Sequence, residues 1–426
     1  MRAGRQTTAL SRRGFLAGTT LAGTALAGLG AAGLGAITGC DSARLSAYLV
    51  KQGKPPAPSH PVTWPIYSDN QPIASGQLFT PEGRLNVLAW TDRVAPRCLR
   101  AFEKKYGCHV ELTTFNSMPQ ALAALAKPTA RFDVFAGVTI DQLGDLVGGK
   151  LIQPLDHSYV PNIAQVWQQF TDPFYDQNWQ YTVPYTIYTT GIGWRRDLIE
   201  LDPYATVNGW GILWQAKLEG KAAIINGYRE AISLGLLRND ITDLATADPR
   251  LIDQARQSLL DLVTLVRPRR SNQAFLGLSS GHIAVQHAWS GQVAAAAKRL
   301  PPDVPVDALG YWFPPDGAGP VANDTMTIPA SAQNPVLAHL FLNFMLDQPN
   351  ALNNALGTGY MQPLTWMKPA RMVKLGVLPK SLIATAVLEN DFYRGLKEFQ
   401  LQVGANVLWH QAWQSVVTAM KLPGQS

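Results

Sequence analysis

Cysteine is scarce in this chain, with three residues among 426, at positions 40, 98 and 108. So small a number excludes a disulfide framework. Cys98 and Cys108 flank LRAFEKKYG, read as a helix followed by a turn, which holds them too far apart for a bridge. Two packed thiols are expected there. Charge is low as well, at 15% of residues, and the formal net charge is +6. Acid is missing altogether from residues 1–40, which carry Arg2, Arg5, Arg12 and Arg13. Taking those four from 36 basic residues leaves 32 against 30 acidic ones, a balance near +2. That excludes an electrostatic case for nucleic acid binding, so no nucleic-acid partner is expected.

Several catalytic signatures are also missing. There is no H-E-x-x-H, no G-x-G-x-x-G following a strand, and no G-x-x-x-x-G-K that continues into Ser or Thr. The glycines of GVTIDQLGDLVGG are not read as a phosphate cradle. The seven histidines, His60, His109, His157, His282, His287, His339 and His410, lack metal-ligand spacing. His282 and His287 lie five apart across an extended stretch, so each is read as structural and no metal or cofactor is expected. The run RPRR (267–270) has no aromatic interleaving and reads as a solvated loop. An enzyme is the weaker class.

What is present begins at the N-terminus. SRRGFLAG (11–18) sets paired arginines before an Ala/Gly/Leu run that ends in ITGC, Ile37 to Cys40. The first part resembles a twin-arginine export signal, and the second resembles a lipoprotein lipobox with Cys40 as the lipidated residue. Residues 41–83 are rich in Pro, Ser and Gln and read as a flexible tether. The expected place is the outer face of the cytoplasmic membrane, periplasm or cell envelope, with the chain anchored by lipid.

The body has 46% hydrophobic residues to draw on, ample for two domains. From Leu85 onward short apolar runs alternate with amphipathic stretches, the pattern of βαβ units in an α/β fold. Strands are expected at LNVLAW, HVELTTF, FDVFAGV, KAAIING and DTMTIPASA. Helices are expected at PRCLRAFEKKYG, MPQALAALAK, DQLGDLVGGK, YREAISLGLL, DPRLIDQARQSLLDLVTLV and PVLAHLFLNFMLDQP. WQYTVPYTIYTTGIGW (179–194) reads as two extended segments bent at Pro184, and 378–426 as mostly helix. Aromatic and acidic residues sit together at strand ends: Trp90 and Asp92 in WTD, Trp289 in HAWSG, Tyr360 in GTGYMQP, Glu230 after KAAIINGY, and Asp324 opening DTMTIPA.

The order of LNVLAWTD, HVELTTFNS, FDVFAGVTIDQL, LIQPLD, YTVPYTIYTTGIGW, YREAISLGL, AVQHAWSGQV, DTMTIPASAQNP, HLFLNFML, GYMQP and EFQLQVGAN resembles the spermidine/putrescine-binding proteins of ABC polyamine importers. The resemblance covers roughly 84–415. It implies a two-lobe periplasmic-binding-protein fold (type II), each lobe a mixed sheet flanked by helices, joined by a hinge. Lobe 1 would comprise 84–190 plus 322–368, and lobe 2 191–321 plus 369–426. It also implies a monomer that captures a polyamine-like organic cation and hands it to an ABC permease. The binding residues it implies are Trp90, Thr91, Asp92, Glu230, Trp289, Asp324, Tyr360 and Gln400. Asp92, Glu230 and Asp324 would hold ammonium groups. Trp90, Trp289 and Tyr360 would face the methylenes and cations, at about 0.5–2 kcal/mol per cation–π contact. Thr91 and Gln400 would add hydrogen bonds.

The chain departs from the family pattern at Gly227, where an aspartate is usual, and at Ala322, where an aromatic is usual. Val138 and Thr139 replace a more polar and aromatic pair. The slot is expected to be wider and less acidic than a spermidine specialist's. A carbohydrate-binding lipoprotein of the same fold is the other reading, since sugars also stack on Trp.

Overall fold

The computed structural model describes residues 55–80, 82–127 and 129–421. The paired arginines and Cys40 lie outside the described residues. Strand β1 (Arg84–Trp90) runs parallel to β2 (His109–Phe115) and to β3 (Val134–Thr139). Helix α1 (Pro96–Tyr106) makes the first crossover. Pro96 opens it where a missing amide costs nothing, and Gly107 closes it in the left-handed conformation at φ 61°. Helix α2 (Met118–Leu125) makes the second crossover, and α3 (Leu143–Gly148) follows β3. Strand β4 (Ile152–Gln153) is short.

The next strand organises the molecule. β5 (Val183–Arg195) is thirteen residues long and buried throughout. As far as Thr189 it pairs antiparallel with β10 (Pro320–Pro329), and β10 pairs on to β3. From Thr190 it pairs antiparallel with β8 (Val285–Trp289), and from Ile192 also with β9 (Leu309–Trp312). β8 continues to β6 (Ala222–Ile224) and β6 to β7 (Arg269–Arg270), both in parallel. One strand thus belongs to two half-sheets, and the fold is α/β with two lobes.

Two larger cores cover those half-sheets. One is built around Leu85, Val87, Phe102 and Phe341, the other around Ile192, Leu234, Leu259 and Trp409. Helix α4 (Tyr228–Arg238), α5 (Pro249–Val266) and the C-terminal α12 (Val403–Ala419) pack on one another in the second core. Helices α6 (Ala274–Ser280) and α7 (Ser290–Ala296) flank β8. Helices α8 (Pro335–Leu346) and α9 (Gln348–Thr358) follow β10. Cys98 and Cys108 are free thiols, as their separation by α1 requires.

Three expectations change. The bend at Pro184 is absent, because β5 and β10 accommodate it with a register shift. Asp324 pairs with Thr186 and Thr325 with Pro184, so Tyr185 is the extra residue of a bulge. The tail is less helical than expected: between α10 (Pro369–Lys374) and α12 stand α11 (Glu389–Arg394) and the two-residue β11 (Leu396–Lys397), which pairs with β10. The third change concerns the tether. Its described part does not hang free but lies along the first lobe. Val62 and Trp64 are 7% and 2% exposed, packed in a core with Phe115 and Tyr181. The Trp64 indole donates to the Tyr175 carbonyl at 2.7 Å, and the Tyr181 hydroxyl to that of Pro65 at 2.7 Å. Composition alone missed this because the anchoring contacts, such as Asn70 donating to the Ile152 carbonyl and Lys150 pairing with Asp69, come from residues far along the chain.

Trp64→Ala will therefore lower unfolding stability in urea by about 3–5 kcal/mol, the range for truncating a buried aromatic. A change under about 0.5 kcal/mol, the size for an exposed position, would restore the tether.

Candidate functional site

Strand ends converge where the half-sheets meet, and β1 delivers the first group. Trp90 closes the strand with its indole donating to the Gly137 carbonyl at 2.8 Å. Gly137 has φ +96° and a Cβ there would collide with the Trp90 ring, so the glycine is what lets the indole lie flat across β3. The ring tilts against Phe115 at 4.7 Å and meets Trp289 edge-on at 6.0 Å. Asp92 follows at φ +94°, an uncommon conformation for a non-glycine residue. It accepts a hydrogen bond from Gln292 of α7, which links the first lobe to the second. Burial pushes its carboxyl up to about 6, against the opposing pull of the Arg93 and Arg299 charges.

Arg93 is the centre of the site. Its side chain is 2% exposed, and its Nε donates to Asp324 Oδ2 at 3.0 Å. The guanidinium carbon lies 3.6 Å from the Tyr360 ring centre, 5.5 Å from Tyr188 and 5.7 Å from Trp289. Three aromatic faces and a carboxylate thus enclose one cation. Asp324 is fully engaged, because Thr186 donates to Oδ2 at 2.9 Å and the Tyr188 hydroxyl to Oδ1 at 3.0 Å. The backbone of Arg93 is pinned too: its carbonyl accepts from Tyr185 at 2.6 Å and from Asn354 at 3.1 Å. The β5 bulge is what presents Tyr185 for that contact.

A second group of charges lies on the far side of Tyr188. Glu230 stands in the first turn of α4, and its carboxylate folds back over Gly227, where a Cβ would strike it. Burial, and then the charge of Glu398, push Glu230 up to about 8. Burial raises Glu398 as well, and Asp141 adds to both. The charges of Asp324, Arg93, Glu398 and Glu230 are all felt at Tyr188. Among the described residues no Lys or Arg nitrogen comes within 4.0 Å of Glu230, Glu398 or Asp141. Arg229 turns away, donating to the carbonyls of Leu244 and Phe399. Gln400 packs over Gly144 with its carbonyl oxygen buried and unpartnered. Among the described residues no cluster of His, Cys, Asp and Glu could hold a metal ion.

A family model described as bacterial extracellular solute-binding protein matches residues 98–374. The chain belongs to this family. A spermidine/putrescine-binding periplasmic protein 1 of Haemophilus influenzae is 26% identical over 338 residues, 79% of this chain and 89% of that one. A putrescine/cadaverine-binding protein of Pseudomonas aeruginosa is 26% identical over 303 residues, 67% and 82% of the two chains. Among solved structures, the spermidine/putrescine ABC transporter substrate-binding protein of Streptococcus pneumoniae superposes with a TM-score of 0.64 at 21% identity. That match covers 80% of this chain and 100% of the other.

In this solute-binding protein the residues expected from the sequence fall into three sets. Asp92, Trp289, Asp324 and Tyr360 surround Arg93, and Trp90 reaches this group through its edge contact with Trp289. Glu230 stands in the first turn of α4 and Gln400 over Gly144, away from that group. Thr91 joins neither, since its hydroxyl donates to the Phe115 carbonyl at 3.2 Å. Arg93, Tyr188, Gln292 and Glu398 were missed. Arg93 and Glu398 are adjacent to or inside motifs already singled out, and a charge beside WTD was the available signal. Ala322, where an aromatic was expected, packs against Tyr188, Trp289 and Tyr360. Tyr188, its register partner on β5, supplies an aromatic face on that wall.

Two short patterns imitate catalytic signatures. Gly277-Leu278-Ser279-Ser280-Gly281 has G-x-S-x-G spacing, but Ser279 lies in the last turn of α6 and its hydroxyl donates to the Leu276 carbonyl. A nucleophile elbow needs a strand-to-helix turn instead. Gly144 to Lys150 has P-loop spacing up to the lysine, with Leu151 where Ser or Thr belongs. It forms and ends α3 instead of preceding a helix, and Lys150 pairs with Asp69 at 2.6 Å.

A carboxyl raised on folding adds stability below its unfolded value, near 4.5 for Glu230, and that stability is lost as pH climbs through about 8. The ligand-free protein will melt at a lower temperature at pH 8 than at pH 5. Glu230→Gln will flatten that slope in thermal melts. It will not abolish it, because Asp176 and Asp92 are raised in the same direction. A slope unchanged by the substitution would show that Glu230 ionises normally.

Proposed function

We propose that this protein captures a polyamine-like organic cation in the slot between its lobes and delivers it to an ABC permease. The observation that carries the reading is the Glu230, Glu398 and Asp141 group, carboxylates that form no salt bridge among the described residues and are opposed only by the more distant Arg229 charge. A slot of this kind attracts an ammonium by charge and accommodates methylenes on Tyr188, Trp289 and Trp90. The names of relatives that bind spermidine, putrescine or cadaverine support the same ligand class. Glu230, Glu398 and Gln400 receive the ammonium, and Trp90, Trp289 and Tyr188 flank the alkyl chain.

The location proposed is the outer face of the cytoplasmic membrane. Export follows the twin-arginine-like segment, and lipid at Cys40 holds a monomer near its permease. Among the described residues no helix is long and apolar enough to cross a membrane, which fits attachment from the N-terminal segment. Closing of the lobes on the ligand supplies the signal the permease reads, through the preference of the ligand for the closed form. The reading needs no catalytic step.

Isothermal titration with putrescine, spermidine and a monoacylated diamine tests it: at least one will give saturable heat, and silence from all three rejects the amine reading. Glu230→Gln will weaken the amine that binds by about 10- to 150-fold, since a hydrogen bond to a charged group contributes about 1.5–3 kcal/mol. A neutral sugar would lose far less from the same change.

A further inference from the structure

Arg93 occupies the place that the arrangement of the other side chains prepares for a ligand cation. The ring of Tyr360 lies 3.6 Å beneath it, Tyr188 and Trp289 stand at 5.5 and 5.7 Å, and Asp324 accepts from its Nε at 3.0 Å. A carboxylate framed by three aromatic faces is what an alkylammonium end would seek. Here the cation is covalently part of the chain, and both Asp324 oxygens are taken, by Arg93, Thr186 and Tyr188. The other end is the reverse: Glu230 folds back over Gly227, burial raises the carboxyls of Glu230 and Glu398 with Asp141 adding to both, and the Arg229 charge opposes this without forming a salt bridge to either among the described residues.

We propose that Arg93 is a resident cation that replaces one ammonium of the ligand, so that this protein selects an amine with a single ammonium group. That ammonium docks at Glu230 and Glu398. The other end of the ligand meets a guanidinium and is therefore uncharged or carries an oxygen acceptor, as in a monoacylated diamine or an ω-amino amide. Guanidinium Nη1 stands 3.8 Å from Asp92, beyond hydrogen-bond length, which leaves it able to donate to such an acceptor. A diamine of the same length would bring a second positive charge against Arg93. To be held as a dication it would have to displace Arg93 from Tyr360 and Asp324, leaving a permanently charged side chain to find another partner. Ala322 fits the same picture: the wall beside Tyr188, Trp289 and Tyr360 carries a methyl there, with the guanidinium already stacked on the tyrosine.

The inference rests on the amine reading, and the two fail in different ways. Titration of the purified full-length chain with N-acetylputrescine and with putrescine is the test. N-acetylputrescine will bind at least tenfold more tightly. Arg93→Gln empties the cation box and removes the donor to the acyl oxygen, so it will raise putrescine affinity at least tenfold and weaken N-acetylputrescine by about tenfold. Arg93→Lys keeps a charge there and will keep the wild-type preference. Tighter binding of putrescine by the unaltered protein overturns the role of Arg93 and leaves the amine reading standing, and that comparison needs no variant to fold. Heat from neither compound overturns both.

Discussion

The pairing of Arg93 with Asp324 is the contact around which the cleft is arranged. A guanidinium cannot shed its charge at neutral pH, so burying it to 2% exposure obliges the surroundings to supply compensation. They do so from four parts of the chain. β10 contributes the carboxylate, β5 contributes Thr186 and Tyr188, the loop after α9 contributes Tyr360, and β8 ends in Trp289. The backbone of Arg93 is fixed in turn by Tyr185, which a bulge aims at it, and by Asn354 of α9. Removing either charge alone would strand the other in a dry site, which is costlier than never having the pair.

Around that pair the cleft is electrically lopsided. Near Arg93 the charges of Asp324 and Asp92 have a cation to answer, and the Gln292 amide caps the second of them. Near Glu230 burial first, and then like charges, make the carboxyls of Glu230 and Glu398 hold their protons more firmly than isolated ones. The Asp92–Gln292 bond adds a lobe-to-lobe contact made without any ligand.

The fold was largely legible in the sequence because its central strands, such as β3, β5, β8 and β10, are almost wholly buried and its helices carry clear stops. Pro96 and Gly107 bracket α1 where the pattern expects them. The misreadings share a physical origin in contacts distant in sequence. Pro184 breaks a strand unless its partner shifts register, and only β10, some 140 positions on, reveals that it does. Trp64 looks like part of a linker until Tyr175 and Tyr181 close on it. In the site, aromatic and acidic residues at strand ends were legible by type. Arg93 was not, since a lone arginine before an apolar pair reads as surface until 231 residues later Asp324 meets it. The substitutions at Gly227 and Ala322 were visible, but their meaning depended on Glu230 folding back and on Arg93 reaching Tyr360.

β5 gives the protein a mechanical character of its own. Thirteen consecutive residues carry ladder bonds first to β10 and then to β8, with the handover at Thr189 and Thr190. At that point the Thr189 hydroxyl meets the Tyr311 hydroxyl at 2.8 Å and its amide donates to Ser290. A strand gripped on both sides of a single step cannot act as a loose link. It can twist about its own axis, as sheets do readily, while resisting stretch and sideways bend. The lobes are therefore coupled as by a torsion bar, with one soft rotation and little freedom to wobble, and whatever docks on the outer faces senses a single angle.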